Sequence, residues 1–444
     1  MSPGKTKKTA ILVIHGVGPY KRFQAIQYFT KGFLDEYQKG KKDVTRQHML
    51  KPRKERAQSC ISISSKSKNE QIECYEYFWD VHMVHKVLLN EGWDLLVKAS
   101  KNAQKFYNKE LEGSRNIDAT KYTDMEKLKG HPFFRKKRRS KNKGDYEFRP
   151  DGYLNLIGGS TMWVVKIVPY IPWVVKILEF LSELDIPIFT TCFKFVSTGF
   201  KKLVSMFENQ LEKAFMGDVV RYLDMDPRSK YYETRQKIIN GAVEELYALM
   251  ADNDYDQIII AAHSLGSVIA YDAINRVILQ ISAKKGSEYD EIKKKADKVV
   301  GLVTFGSPLD KIGFFFREYI EAKYQIQREM TENTYTFRTI SLFDGPKQIK
   351  QPDPFYAFPQ IRWLNFYHRK DIISGKLDLY DLTAVQLKSV EGKGGKWDGN
   401  ISIEERKGKE DIKFTQAHGC YWGENHDDSG TSQMHKAIIS EFLS

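Results

Sequence analysis

An α/β fold built on a mostly parallel sheet flanked by helices is what this sequence predicts, and three observations carry the prediction. Compact apolar runs recur at residues 10–14, 258–261, 299–305 and 362–367. Stretches with helical spacing separate them, as at residues 20–40 and 230–250. The first two runs end in turns of small residues, HGVG at 15–18 and AHSLG at 262–266. Short, largely apolar strands alternating with helices mark a sheet covered on both faces, because a strand with one wet face would alternate polar and apolar residues.

Composition bounds the answer further. The 444 residues are 41% apolar and 13% aromatic, enough to bury a sizeable core, which excludes a disordered chain. Seventy Lys and Arg against 57 acids leave a net charge of +13. Such an excess draws a protein toward phospholipid headgroups, nucleic acid or acidic partners; its plain reading is solubility. The four cysteines, Cys60, Cys74, Cys192 and Cys420, are far apart and include no CxxC, which fits a reducing compartment.

Taken in order, the first run follows Lys5, Lys7 and Lys8 in the manner of a short signal peptide. It is too brief for one and lacks a small-residue cleavage pattern, so it reads as a buried first strand of a cytoplasmic protein. Residues 20–40 space Phe23, Ile26, Phe33, Leu34 and Tyr37 as a helix, and the Lys- and Ser-rich residues 41–70 read as a loop. Residues 72–79 (IECYEYFW) concentrate aromatics as a strand does. Residues 1–80 thus form the first part of the core, 81–215 an insertion, and 216–444 the rest of the core.

The insertion is mainly helical in expectation. It carries the cluster Arg135, Lys136, Lys137, Arg138, Arg139, Lys141 and Lys143, with no acid among residues 131–143. In residues 152–175 Lys166 is the only charge, with Trp163 and Trp173 inside the run. A spanning helix wants about 20 consecutive apolar residues; Lys166, Pro169, Pro172 and the Gly158-Gly159 pair interrupt this one. Residues 131–200 therefore read first as a peripheral contact with an anionic membrane surface, next as a cap over an apolar site, and last as a true span. The basic cluster also reads as a solvated loop without a function.

The sharpest chemical signal is residues 258–271, IIIAAHSLGSVIAY. A buried strand runs into a turn at Ser264 and out into a helix, the setting of a nucleophile elbow, G-x-S-x-G. The turn is tight, so small residues must stand two before and two after the serine, and Ala262 and Gly266 do. A serine needs a base to take its proton and N–H groups to hold the oxyanion that forms. Leu265 N–H is one candidate donor, and Gly16 or Val17 in the HGVG turn supplies the other. His263 reads as packing.

ILVIHGVG (11–18), ECYEYFWD (73–80), GDVVRYL (217–223), IIIAAHSLGSVIAYD (258–272), VTFGSPLD (303–310) and WLNFYHRKDIIS (363–374) together resemble the α/β-hydrolase superfamily, in its lipase- and esterase-like branches. The resemblance covers residues 8–80 and 217 to about 430, and it implies an α/β-hydrolase fold with a lid-like insertion. It also implies the chain order serine, acid, histidine. Asp371, on the loop after the run at 362–367, is the first candidate acid; Asp310 is its rival, with Asp344 and Asp378 behind. His418, in the turn HGCYW, is the first candidate base; His426 sits in a polar loop and His435 reads as surface.

The leading expectation is a serine hydrolase of carboxylic esters, lipid-like by inference from the apolar insertion, working through an acyl-enzyme on Ser264. Acyl transfer, thioesterase or amidase chemistry would use the same residues, and a catalytically silent binding module would misplace one of them. No cofactor is expected: no glycine-rich phosphate loop accompanies GDVVRYL, and His82 and His85 lack an evident third metal ligand. No recognised nucleic-acid module accompanies the positive charge, so nucleic acid is not an expected partner. The oligomeric state is left open.

Overall fold

The computed structural model describes residues 6–83 except 19, 42, 54 and 55, then 134–136, 146–148, 231–309, 361–368, 396–402, 418–422 and 429–443. It also describes short pieces within 219–229, 312–331 and 371–377. In chain order the first elements are β1 (Lys7–Ile14), α1 (Gln24–Tyr37), β2 (Val44–Arg53), β3 (Arg56–Ser65) and β4 (Glu70–Tyr77). Two short strands, β5 (Phe134–Lys136) and β6 (Tyr146–Phe148), pair antiparallel with each other. The second half holds α2 (Tyr232–Ala251), β7 (Gln257–His263), α3 (Leu265–Ser282), α4 (Gly286–Ala296), β8 (Val299–Phe305), β9 (Arg362–Tyr367), β10 (Lys396–Ser402) and α5 (Ser429–Phe442).

Eight strands join in one sheet in the order β10-β9-β8-β7-β1-β4-β3-β2. From β10 through β4 every neighbouring pair is parallel; β3 then runs antiparallel to both β4 and β2. The molecule is thus an α/β arrangement on a mostly parallel mixed sheet, as the apolar runs predict. Alternation along β1 divides the core in two. Ala10, Leu12 and Ile14 pack with α2 and α3 on one face, and Ile11 and Val13 with α1 and α5 on the other. Both faces are dry, which is why the run at residues 10–14 shows no polar alternation.

Residues 41–70 correct the sequence reading: they form the hairpin β2–β3, not a loop. An edge hairpin needs little apolar content, so its Lys- and Ser-rich composition hides it. Asp43 accepts from the Ser67 hydroxyl at 2.9 Å, bracing the return into β4, where Asn69 takes a left-handed φ of 52°.

Two polar contacts tie surrounding elements to the sheet. Glu76 on β4 accepts from Ala25 N–H at 3.1 Å at the start of α1, satisfying a donor the helix cannot satisfy itself. Tyr222, from the segment that precedes α2, donates to Asp272 on α3 at 2.6 Å, and Arg235 of α2 pairs with the same carboxylate at 2.9 Å. The helix that follows Ser264 is thereby fixed by a buried acid with two partners.

Within 81–215 the described residues are 81–83, β5 and β6, so the helical reading of that stretch, Trp163, Trp173, Lys166 and residues 137–143 lie outside them; Arg135 and Lys136 fall on β5. No helix among the described residues is long and apolar enough to cross a membrane.

Candidate active site

The carboxyl ends of β1, β7, β8 and β9 lie along one edge of the sheet, where open α/β sheets place their binding crevices. Ser264 sits between β7 and α3 with φ 50° and ψ −127°, a conformation that costs a non-glycine residue about 1–3 kcal/mol. The turn is held from several sides. Ser264 N–H donates to Phe305 C=O at 3.0 Å, and Ser267 N–H donates to Ser264 C=O at 2.9 Å. The Ser267 hydroxyl also donates to Ser264 C=O and accepts a hydrogen bond from the Ser307 hydroxyl, 2.7 Å away.

Glycine is required on both sides of this turn. A Cβ on Gly266 would stand 2.4 Å from His15 O and 2.5 Å from Ile14 O, so α3 starts in contact with the end of β1. A Cβ on Gly16 would collide with Ser264. Leu265 opens α3, where the first N–H groups have no partner within the helix, and Gly16, which Val17 follows, stands against the serine.

His418 and Asp371 come to this turn from distant parts of the chain. His418 Nδ1 is 2.9 Å from Asp371 Oδ2, and its Nε2 is 2.8 Å from Ser264 Oγ. A carboxylate can only accept, so Nδ1 carries the proton; Nε2 is left bare and accepts from the Ser264 hydroxyl. All three side chains are buried. Asp371 closes a tight turn after β9, its N–H donating to His368 C=O at 3.0 Å. Its Oδ1 accepts from Ile373 N–H at 2.9 Å and Ser374 N–H at 3.2 Å, the local bonding that makes aspartate a turn residue.

The structure brings Ser264, His418 and Asp371 together by hydrogen bonds and sets Gly16 against the serine; Leu265 follows Ser264 in the chain and Val17 follows Gly16. Asp310, Asp344, Asp378 and His426 lie outside the described residues. His435 corrects the sequence reading: it is fully buried on α5, edge-on to Phe29 of α1 at 5.1 Å. It shares a helix face with Ile438 and Phe442, and a single histidine on such a face is core.

Three residues shape the site that motif reasoning missed. His263 does more than pack: its Nε2–H donates to His418 C=O at 3.1 Å, holding the loop that carries the histidine. Burial, and next the neighbouring His418, push the pKa of His263 well below its ordinary value, so it stays neutral. Trp79, just past β4, stacks on His15 at 4.9 Å and donates its indole N–H to His15 C=O at 2.7 Å, bracing the HGVG turn. Tyr421 donates to Asp371. The aromatic density of residues 72–79 and of HGCYW was the available signal for the last two.

Among the described residues no group of three or more His, Cys, Asp or Glu could hold a metal ion, and His85 lies outside them. No protein-family model, no curated protein and no solved structure matches this chain.

Proposed function

We propose that this chain is a serine hydrolase of the α/β-hydrolase kind that cleaves a carboxylic ester. The observation that carries the reading is the continuous hydrogen-bonded chain from Ser264 through His418 to Asp371. As the Ser264 Oγ bonds to the acyl carbon, its proton passes to His418 Nε2, and Asp371 stabilises the imidazolium across the Nδ1–H bond. Leu265 N–H and an N–H from Gly16 or Val17 take the charge that develops on the carbonyl oxygen. The imidazolium then protonates the departing alkoxide. Water, deprotonated by His418, attacks the acyl-enzyme, the acid leaves, and Ser264 regains its proton.

The strained φ of Ser264 supports the same reading, because strain at a residue held from several sides is a mark of functional turns. The lipid-like substrate and the peripheral membrane contact rest on the apolar and basic sequence of residues 131–200. The test is labelling by a fluorophosphonate probe, which reacts with an activated serine and needs no knowledge of the substrate. Wild-type protein should label and hydrolyse short esters, while Ser264→Ala should do neither and melt at nearly the same temperature. Equal labelling of both proteins would overturn the proposal.

A further inference from the structure

Tyr421 follows His418 by three residues, in the 3-10 turn Cys420–Trp422, and is fully buried. Its phenol oxygen lies 3.0 Å from Asp371 Oδ2, 2.7 Å from His368 N and 3.0 Å from Ser374 Oγ. Proton accounting decides the direction of all three bonds. The carboxylate only accepts and the backbone N–H only donates, so the phenol proton goes to Asp371 and the Ser374 hydroxyl donates to the phenol oxygen. One proton and two lone pairs are all used.

Asp371 Oδ2 thus accepts from two donors, His418 Nδ1–H and Tyr421 O–H. The seat for the ring is built: a Cβ on Gly306, which has φ +62°, would lie 3.0 Å from the Tyr421 ring. Burial, with the Asp371 charge next, raises the phenol pKa well above its ordinary value, so the group stays a donor.

Resting on the reading of Ser264, His418 and Asp371 as a catalytic relay, we propose that Tyr421 is a positioning residue for that relay, its hydroxyl strapping the acid loop to the histidine loop and drawing charge from the oxygen that faces His418. His418 and Tyr421 share one loop, whereas His368, Asp371 and Ser374 share another, so the phenol ties the two loops together beside the His418–Asp371 bond. A donor on a carboxylate also makes it less basic. Without that donor, Oδ2 holds an imidazolium more firmly, and His418 takes up its proton at higher pH.

The experiment follows the rate of fluorophosphonate labelling from pH 5 to 9 for wild type, Ser264→Ala, Tyr421→Phe and protein carrying a ring-fluorinated tyrosine at 421. Tyr421→Phe should label about ten- to a hundredfold more slowly on the plateau, as expected for loss of a hydrogen bond to a charged group, with its acid limb displaced to higher pH. The fluorinated ring, a stronger donor of nearly the same size, should displace that limb to lower pH. A tyrosine that merely fills space would move neither limb. Wild-type behaviour of Tyr421→Phe, or an unmoved limb in the fluorinated protein should the phenylalanine variant not fold, overturns the positioning role. Failure of wild type to label, or labelling of Ser264→Ala, instead overturns the hydrolase reading and this proposal with it.

Discussion

Gly16 stands directly against Ser264: a Cβ on Gly16 would lie 2.5 Å from the serine Cβ and 3.0 Å from His263 Nδ1. Neither neighbour can yield cheaply, since Ser264 is held in a strained turn and His263 anchors the His418 loop. Gly16→Ala should therefore displace the serine and slow fluorophosphonate labelling by about a hundredfold, the scale of a 1 Å misplacement. Gly266→Ala meets backbone oxygens instead, and denaturant melts should show a loss of about 1–3 kcal/mol or more.

Replacing Asp371 by Asn removes the charge that fixes the His418 tautomer. Ester hydrolysis should fall by about 10⁴-fold with little change in KM, because an amide at this position favours the wrong imidazole proton arrangement. Steady-state kinetics on Asp371→Asn and Asp310→Asn decide between the two acids; a fall confined to Asp310→Asn would transfer the role.

Two buried histidines should make the fold acid-sensitive. His15 is fully buried, and burial lowers its pKa from 6.5 to about 4 against the opposing pull of its bond to Gly16 C=O. His263 is lowered in the same direction. Below pH 6.5 the unfolded chain takes up protons that the folded chain refuses, so stability falls as pH falls. For His15 the fall stops near pH 4. Each histidine held neutral costs about 1.4 kcal/mol per pH unit inside that window. Urea titrations at pH 7.5, 6 and 5 should show the decline, and His15→Asn, whose amide can replace the Nδ1–H donor, should make it shallower, leaving the part due to His263.

Seven basic residues between 135 and 143, placed just before the apolar stretch 152–175, lead us to expect salt-sensitive attachment to anionic lipid. Each contact near a charged leaflet is worth about 1 kcal/mol, so several together should pull the protein down with phosphatidylserine vesicles at low salt and release it at high salt. Pelleting that ignores both lipid charge and salt would leave those residues no part in membrane attachment.

In the parallel part of the sheet β1, β7, β8 and β9 were legible because they are dry on both faces and read as largely apolar runs, whereas β10, with the sequence KWDGNIS, offers no such run and was not legible. The hairpin β2–β3 was not legible. His48 and Leu50 face water on the edge strand, and the one alternation in β3, Ile61-Ser62-Ile63-Ser64, is only four residues long and sits among lysines and serines that read as a loop. At the site, Ser264 announces itself through the small residues its turn demands, and His418 and Asp371 through their order in the chain. His263 and Tyr421 act through a backbone carbonyl and a shared carboxylate oxygen. Such partnerships depend on which loops meet across some 50 to 155 residues of chain, and no local pattern encodes them.

The place of β1 in the sheet bears on how the protein is made. Among the described strands β1 leaves the ribosome before the others, yet it lies between β4 and β7, and β7 begins at residue 257. β4 is available after a few seconds of synthesis. At about 5–20 residues per second, the other edge of β1 waits roughly 10 to 50 seconds for its partner. During that interval a strand as apolar as AILVI presents unpaired N–H and C=O groups to any neighbouring nascent chain, the setting in which strands join edge to edge. Soluble yield in a foreign host should accordingly depend on a holdase chaperone able to cover residues 7–14 until the ribosome has delivered β7.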